Sequence, residues 1–307
     1  MIKKFYIVLI LGIFLAGMLL VHPEKSWNQK DGDEACHLEK YSKNIEDLEL
    51  FLELDDAKIY RVANGYVIEK RGSRYFLNTT KVFFFNWGFI ALQDVTQTRN
   101  VTQIMWRVGS LGVTNVSIQN VTSQVRVRLI TGCTYNGKFL WSLELPGYVW
   151  VYERGNNRKS GVSTPNVLLA STKDYLYAFI FQTAPRSFQE FRKYAPEDTL
   201  YILGENGIVR KFNLGKGVIP LRNAFLVTNN TYALLGFERS LPDGSPYLAH
   251  LMILNGSEVI YQKTFGMSEP CLCSIIPGWG MRDENGCAIF GLYNGTATYC
   301  NGTLRLS

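Results

Sequence analysis

Six cysteines and eight Asn-x-Ser/Thr triplets are the residues of this 307-residue chain whose types and spacing could carry chemistry. The triplets begin at Asn78, Asn100, Asn115, Asn120, Asn229, Asn255, Asn294 and Asn301. Chance predicts about 2.5 for a chain of this asparagine, serine and threonine content, so the excess points to acceptor sites for N-linked sugar. That modification requires an exported chain. The cysteines are Cys36, Cys133, Cys271, Cys273, Cys287 and Cys300. Zinc ribbons favour a C-x2-C knuckle, whereas this chain has one C-x-C followed by isolated cysteines. Outside the cell an even count reads as disulfides. Four cysteines within thirty residues are close enough to pair among themselves. Cys287 with Cys300 is the favoured local bond, because the segment between them folds back at Asn294-Gly295. Cys36 and Cys133 are left as the third pair.

Catalytic constellations are scarce. The only histidines are His22, His37 and His250. There is no HExxH, no Gly-x-Ser-x-Gly and no P-loop. A Ser-His-Asp triad would have to rest on His250, which sits in the apolar run "YLAHLMIL" and reads as a packed strand residue. Glycoside hydrolysis needs two carboxylates roughly 5 to 9.5 Å apart. Glu190, Glu205, Glu238 and Asp243 are candidates that the sequence does not pair. No catalytic, cofactor-binding or metal residue is assigned, and no cofactor is expected.

The charge is uneven. The chain carries a net +6, yet residues 31 to 56 hold ten acids against two lysines. The rest of the body is basic, with its cations spread along the chain. No basic stripe interleaved with aromatics occurs, which argues against nucleic acid as a partner.

The N-terminus opens with Lys3 and Lys4, followed by an uncharged apolar run from Phe5 to Val21. As a helix of 17 residues it would span roughly 25 Å, at the short end for a bilayer. The flanking lysines stay cytoplasmic and send the remainder outside. A cleaved signal peptide has the same layout, but no good small-residue cleavage site follows. The expected organisation is a cytoplasmic stub (1–4), a transmembrane signal anchor (5–21), a tether and acidic neck (22–56) and an extracellular all-β domain (57–307). Secretion after signal cleavage is the alternative.

The elements that must position these residues are strands. Aromatic residues are 13% of the chain and apolar residues 47%, a composition that favours sheets. Asn-Gly, the strongest short hairpin signal, starts at Asn64, Asn136, Asn206, Asn255, Asn285, Asn294 and Asn301. After residue 57 the chain reads strand, turn, strand. Residues 37 to 56 are ambiguous, with Tyr41, Ile45, Leu48 and Leu52 on one helical face and Leu48, Leu50, Leu52 and Leu54 alternating as a strand would. A short helix passing into a strand is the favoured reading.

Four hairpins share one design: "LYILGENGIVRKF" (200–212), "LITGCTYNGKFLW" (129–141), "LMILNGSEVIYQK" (251–263) and "ATYCNGTLRL" (297–306). They resemble the repeating hairpins of the β-propeller superfamily, PQQ-like and WD40-like. The resemblance implies five to seven blades over residues 57–307 at roughly 40 to 50 residues each. Two β-sandwich domains, divided near 182–198, are the alternative. The functional expectation is a membrane-anchored, glycosylated extracellular protein with a binding or structural role toward a protein or glycan partner. An extracellular carbohydrate-active enzyme on a propeller scaffold is the second reading. Enzyme status stays open, with the non-enzymatic reading favoured.

Overall fold

A computed structural model describes residues 36–307 apart from 46–47, 111, 182–196, 216–217, 220–224, 229–230, 240–247, 266–276, 283–286 and 293–294. The segment expected to anchor the chain, the expected tether to residue 35, and Cys271 and Cys273 lie outside the described residues. Among those described there is no helix, and none is long and apolar enough to cross a membrane. The body is all-β.

Its strands form five sheets in chain order. The first holds β1 (Glu39–Lys40), β2 (Glu49–Glu53), β3 (Lys58–Val62), β4 (Gly65–Lys70) and β5 (Ser73–Leu77), ordered β1-β5-β4-β3-β2. The second holds β6 (Val82–Phe85), β7 (Gly88–Gly109), β8 (Gly112–Cys133), β9 (Phe139–Pro146), β10 (Tyr148–Arg154) and β11 (Asn157–Ser163). Its order is β11-β10-β7-β8-β9, with β6 also paired to β7. The third is the meander of β12 (Asn166–Ser171), β13 (Leu176–Phe181), β14 (Asp198–Gly204) and β15 (Gly207–Gly215). The fourth holds β16 (Val218–Ile219), β17 (Phe225–Thr228), β18 (Tyr232–Arg239), β19 (Leu248–Asn255) and β20 (Glu258–Phe265). The fifth is the meander of β21 (Pro277–Arg282), β22 (Ala288–Leu292), β23 (Gly295–Cys300) and β24 (Thr303–Leu306).

Each sheet packs on the next through apolar faces. Ile59, Tyr66 and Leu77 of the first meet Phe84, Phe89 and Ala91 of the second. Phe85, Ile90 and Ile130 of the second meet Leu176, Ala178 and Leu203 of the third. Tyr177, Phe179 and Leu200 of the third meet Ala233, Leu235 and Leu254 of the fourth. Leu234, Leu251 and Ile253 of the fourth meet Ala288 and Ala297 of the fifth. A strand enclosed on both faces needs apolar residues throughout, and every residue of β13, "LYAFIF", is buried. Strands with one wet face alternate instead.

The second sheet departs from the others. β7 and β8 run for 22 residues each, about 70 Å at the usual rise. The base of this hairpin is flanked by β6 and β9, while its outer half pairs with β10, which lies parallel to β7. A parallel neighbour cannot come from a tight turn, so the chain must travel from β9 back along the sheet first.

Turn chemistry accounts for several hairpin tips. Asn301 and Gly302 both have positive φ, 46° and 80°, and they alone separate the paired residues Cys300 and Thr303. That is the type I′ geometry that Asn-Gly favours. Trp141 closes the second sheet onto the third. Its ring lies over Gly132, where an added Cβ would come within 2.5 Å of it. Its indole N–H donates to the carbonyl of Glu205 at 2.9 Å.

Two disulfides are present among the described residues, Cys36–Cys133 and Cys287–Cys300. Both match expected pairs, Cys287–Cys300 from its spacing and Cys36–Cys133 as the pair left over. The first ties the segment before β1 to the end of β8, and both of its cysteines are buried.

Two expectations are corrected. The stretch 37–56 supplies strands β1 and β2, because β5 and β3 offer sheet edges that a helix could not use. The resemblance to PQQ-like and WD40-like propeller hairpins does not carry to the whole. Among the described residues the five sheets have five, six, four, five and four strands, none closes, and the second contains a parallel pair. Among the described residues no strand from the end of the chain pairs with the first sheet. A shared hairpin is local, whereas the closure of an architecture depends on pairings between distant sheets.

Gly132→Ala is expected to cost about 1–3 kcal/mol in urea unfolding, because the new methyl displaces Trp141 from a filled site. In the Trp141→Ala background the same change should cost less, so the two losses add incompletely. Full additivity would show that the ring does not depend on Gly132.

Candidate functional site

A cleft of about 360 Å³ opens where the second and third sheets meet. Val82, Phe83, Leu92, Val167 and Leu169 form its apolar wall, and Thr80, Lys81, Gln93, Asp94 and Arg128 supply polar groups. Pockets that take small molecules have this make-up, an apolar lining with a few convergent polar groups.

The sheet register builds the polar end. Asp94 of β7 lies directly across from Arg128 of β8. Arg126 stands two residues from Arg128 and therefore shares its face. Arg128 donates from Nε to Asp94 Oδ1 at 2.8 Å and from Nη2 to Oδ2 at 3.2 Å, the bidentate fork that a carboxylate accepts best. Its remaining Nη1 donates to the carbonyl of Pro165 at 3.4 Å, just ahead of β12. Arg126 Nη2 and Lys81 Nζ approach the same carboxylate at 3.4 and 3.9 Å.

The burial of these groups differs sharply. The Asp94 side chain is only 9% exposed, against 59% for Arg126 and 67% for Lys81. The hydrogen bond from Arg128 holds the Asp94 carboxyl below the usual carboxylate range, against the opposing effect of burial. Three cations thus face one anion. Arg128 is neutralised by its fork, and Lys81 and Arg126 keep most of their charge toward solvent.

The residues singled out in the sequence fall elsewhere. Asn78, Asn100, Asn115, Asn120, Asn255 and Asn301 are all exposed; Asn229 and Asn294 lie outside the described residues. His250 stacks on Phe237 at 4.9 Å, and its Nδ1 is 3.0 Å from the hydroxyl of Thr264. Of the candidate acids, Glu190 and Asp243 lie outside the described residues. Glu205 sits exposed in the turn between β14 and β15, and Glu238 belongs to β18. Among the described residues no three His, Cys, Asp or Glu side chains come together to hold a metal ion. The buried phenols of Tyr135 and Tyr177 donate to the carbonyls of Phe85 and Gly256. Burial raises both, Tyr177 to about 12, so they stay protonated near neutral pH.

Sequence reasoning missed Asp94 and Arg128. The signal was the alternation "VRVRL" at 125–129, which puts two arginines on one strand face. The partner of Arg128 lies 34 residues away and is found only once the long hairpin is registered.

No protein-family model matches the chain, and no curated protein matches it. Solved structures resemble it distantly. A crystal structure of an ACO/RPE65 chimera aligns at 10% identity and a TM-score of 0.29. The cobalt-substituted Synechocystis ACO gives the same values. A variant of the Synechocystis apocarotenoid oxygenase does so as well, over 87% of this chain. The chain spans about 60% of the length of these proteins. The apocarotenoid oxygenase among these neighbours is neither a binding or structural protein nor a carbohydrate-active enzyme, so they lend the functional expectation no support. At this identity and score, none of their chemistry passes to this chain.

Asp94→Asn should cost about 1–3 kcal/mol at pH 7, since it removes an ionised acceptor from Arg128. A carboxyl held below its unfolded value contributes fully above about pH 4, and that contribution fades as pH falls through the folded value. Melting temperatures of the two proteins should therefore converge as pH falls below the ordinary carboxylate range. A constant gap from pH 7 to 2.5 would contradict the ion pair.

Proposed function

We propose that the cleft between the second and third sheets takes up a small amphipathic anion. The observation that carries this reading is the surplus of positive charge over an apolar wall. Lys81 lines the polar end, and Arg126, outside the lining, reaches the same carboxylate, so one carboxylate stands among three cations. An anionic head group of the carboxylate, sulfate or phosphate class would replace water around these two cations. The apolar body would lie on Phe83, Leu92, Val167 and Leu169. The Asp94–Arg128 fork fixes the floor. It occupies the Arg128 guanidinium with Asp94 and Pro165 and leaves selectivity to the two exposed cations.

The same reading puts the body on the outer side of a membrane, attached by residues 5–21 or released from them. Two disulfides among the described residues support an oxidising compartment. Six exposed sequon asparagines and the Lys3-Lys4 flank of the apolar run support export. The ligand would then be met outside the cell.

Titration with anilinonaphthalene sulfonate, a fluorescent amphipathic anion, tests the cleft. One saturable site is expected on the folded chain. Leu169→Trp should fill the cleft and abolish that site. Lys81→Glu with Arg126→Glu should weaken it at least tenfold, a change of about 1.4 kcal/mol or more. Undiminished binding in either variant would refute the assignment.

A further inference from the structure

The outer half of β8 is an open edge. β9 covers only residues 127–133 of this strand, and β7 occupies its other side throughout. Beyond the bond from the Gly147 N–H to the carbonyl of Arg126, no described residue pairs with the free side of 112–125. From Gly112 to Val125 the sequence "GVTNVSIQNVTSQV" has no charge and no proline. It is rich in β-branched residues, and Ile118 is 60% exposed. Such an edge is a template for pairing with another strand, and proteins usually blunt it with charge, proline or a bulge. A bulge at Thr114 ends the regular ladder near the hairpin tip, and along 115–125 the edge has none of these.

It has sugar acceptors instead. Asn115 lies across from Arg107 and Asn120 across from Thr102. They are five residues apart, an odd interval, so their side chains leave the strand on opposite faces. Both are exposed, and they bracket Ile118. We propose that N-linked glycans on Asn115 and Asn120 cap the β8 edge, one from each face, and keep two copies of the chain from pairing there. Each linkage forms when the asparagine Nδ2 attacks C1 of a sugar held on a lipid pyrophosphate. The C1–O bond breaks, the pyrophosphate leaves with the electron pair, and the amide gives up one proton. An incoming strand would then need to reach the edge between two branched sugars, roughly 17 Å apart along the strand. This inference rests on the exported reading above.

The test uses the full chain made in a glycosylating secretory host and solubilised in detergent. Glycopeptide mass spectrometry should find sugar at Asn115 and Asn120, and light scattering should give the mass of one chain. Asn115→Gln with Asn120→Gln should shift the mass toward two chains. Ser117→Ala with Thr122→Ala, which removes the acceptor motif and keeps both asparagines, should do the same. Adding Ile118→Lys to the sugar-free variant should restore the single chain. Sugar at Asn78 or Asn255 but not at Asn115 and Asn120 would overturn the cap and leave export standing. Absence of sugar from every site would overturn export and the cap together. A sugar-free variant that stays a single chain would overturn the edge argument itself.

Discussion

The register of β7 on β8 is the constraint from which the features of the second sheet follow. The two strands pair from Phe89 opposite Cys133 to Gly109 opposite Gly112, with one irregularity at Arg107/Val108. Side chains alternate with period two, so a slip of one residue would exchange every face. Asp94 would lose Arg128, and the valines that pack with Leu129 would turn to solvent. The base of the hairpin is pinned from several sides. Cys133 is held by its bond to Cys36. Gly88 approaches so closely that an added Cβ would sit 2.1 Å from the carbonyl oxygen of Cys133. The Tyr135 hydroxyl donates to the carbonyl of Phe85 at 2.6 Å.

This pinning matters because the polar end of the cleft is costly to assemble. A carboxylate that is 9% exposed is stable there only with a partner in good geometry. The fork from Arg128 supplies that partner. Once it is satisfied, Arg126 and Lys81 are left with weak, solvent-screened contacts to the same acid, of the kind that contribute about 0–1 kcal/mol. Charge that is poorly used within the fold is available to a ligand. The farther half of the hairpin carries no such cluster at its free edge, and its uncharged strand needs a different protection.

Part of this was legible in the sequence and part was not. The Asn-Gly turn at Asn301, the two disulfides and the all-β composition follow from local rules, because each depends on residues close in sequence or on simple elimination. The longest hairpin was not legible. Its tip is at Ser110, marked by Gly109 and Gly112 but without an Asn-Gly dipeptide, and nothing in that weaker signal says that the strands run for 22 residues. The Asp94–Arg128 pair inherits that obscurity. In the stretch 37–56 the apolar pattern fitted helix and strand alike, and the strand won because Leu52 could pair across to Ile59 on an existing sheet. The likeness among hairpins was real at the level of turns. The number of strands per sheet and the lack of closure come from contacts between sheets, which no repeated motif encodes.

The register itself can be trapped directly. Thr98 and Gln124 face each other across β7 and β8, and both are exposed. Paired antiparallel residues lie roughly 4.5 to 5.5 Å apart, within reach of a disulfide. Thr98→Cys with Gln124→Cys should oxidise to a full cross-link, read by peptide mapping, while Thr98→Cys with Val125→Cys should leave two thiols. Cross-linking of the second pair in preference to the first would contradict the register, and with it the cleft that the register builds.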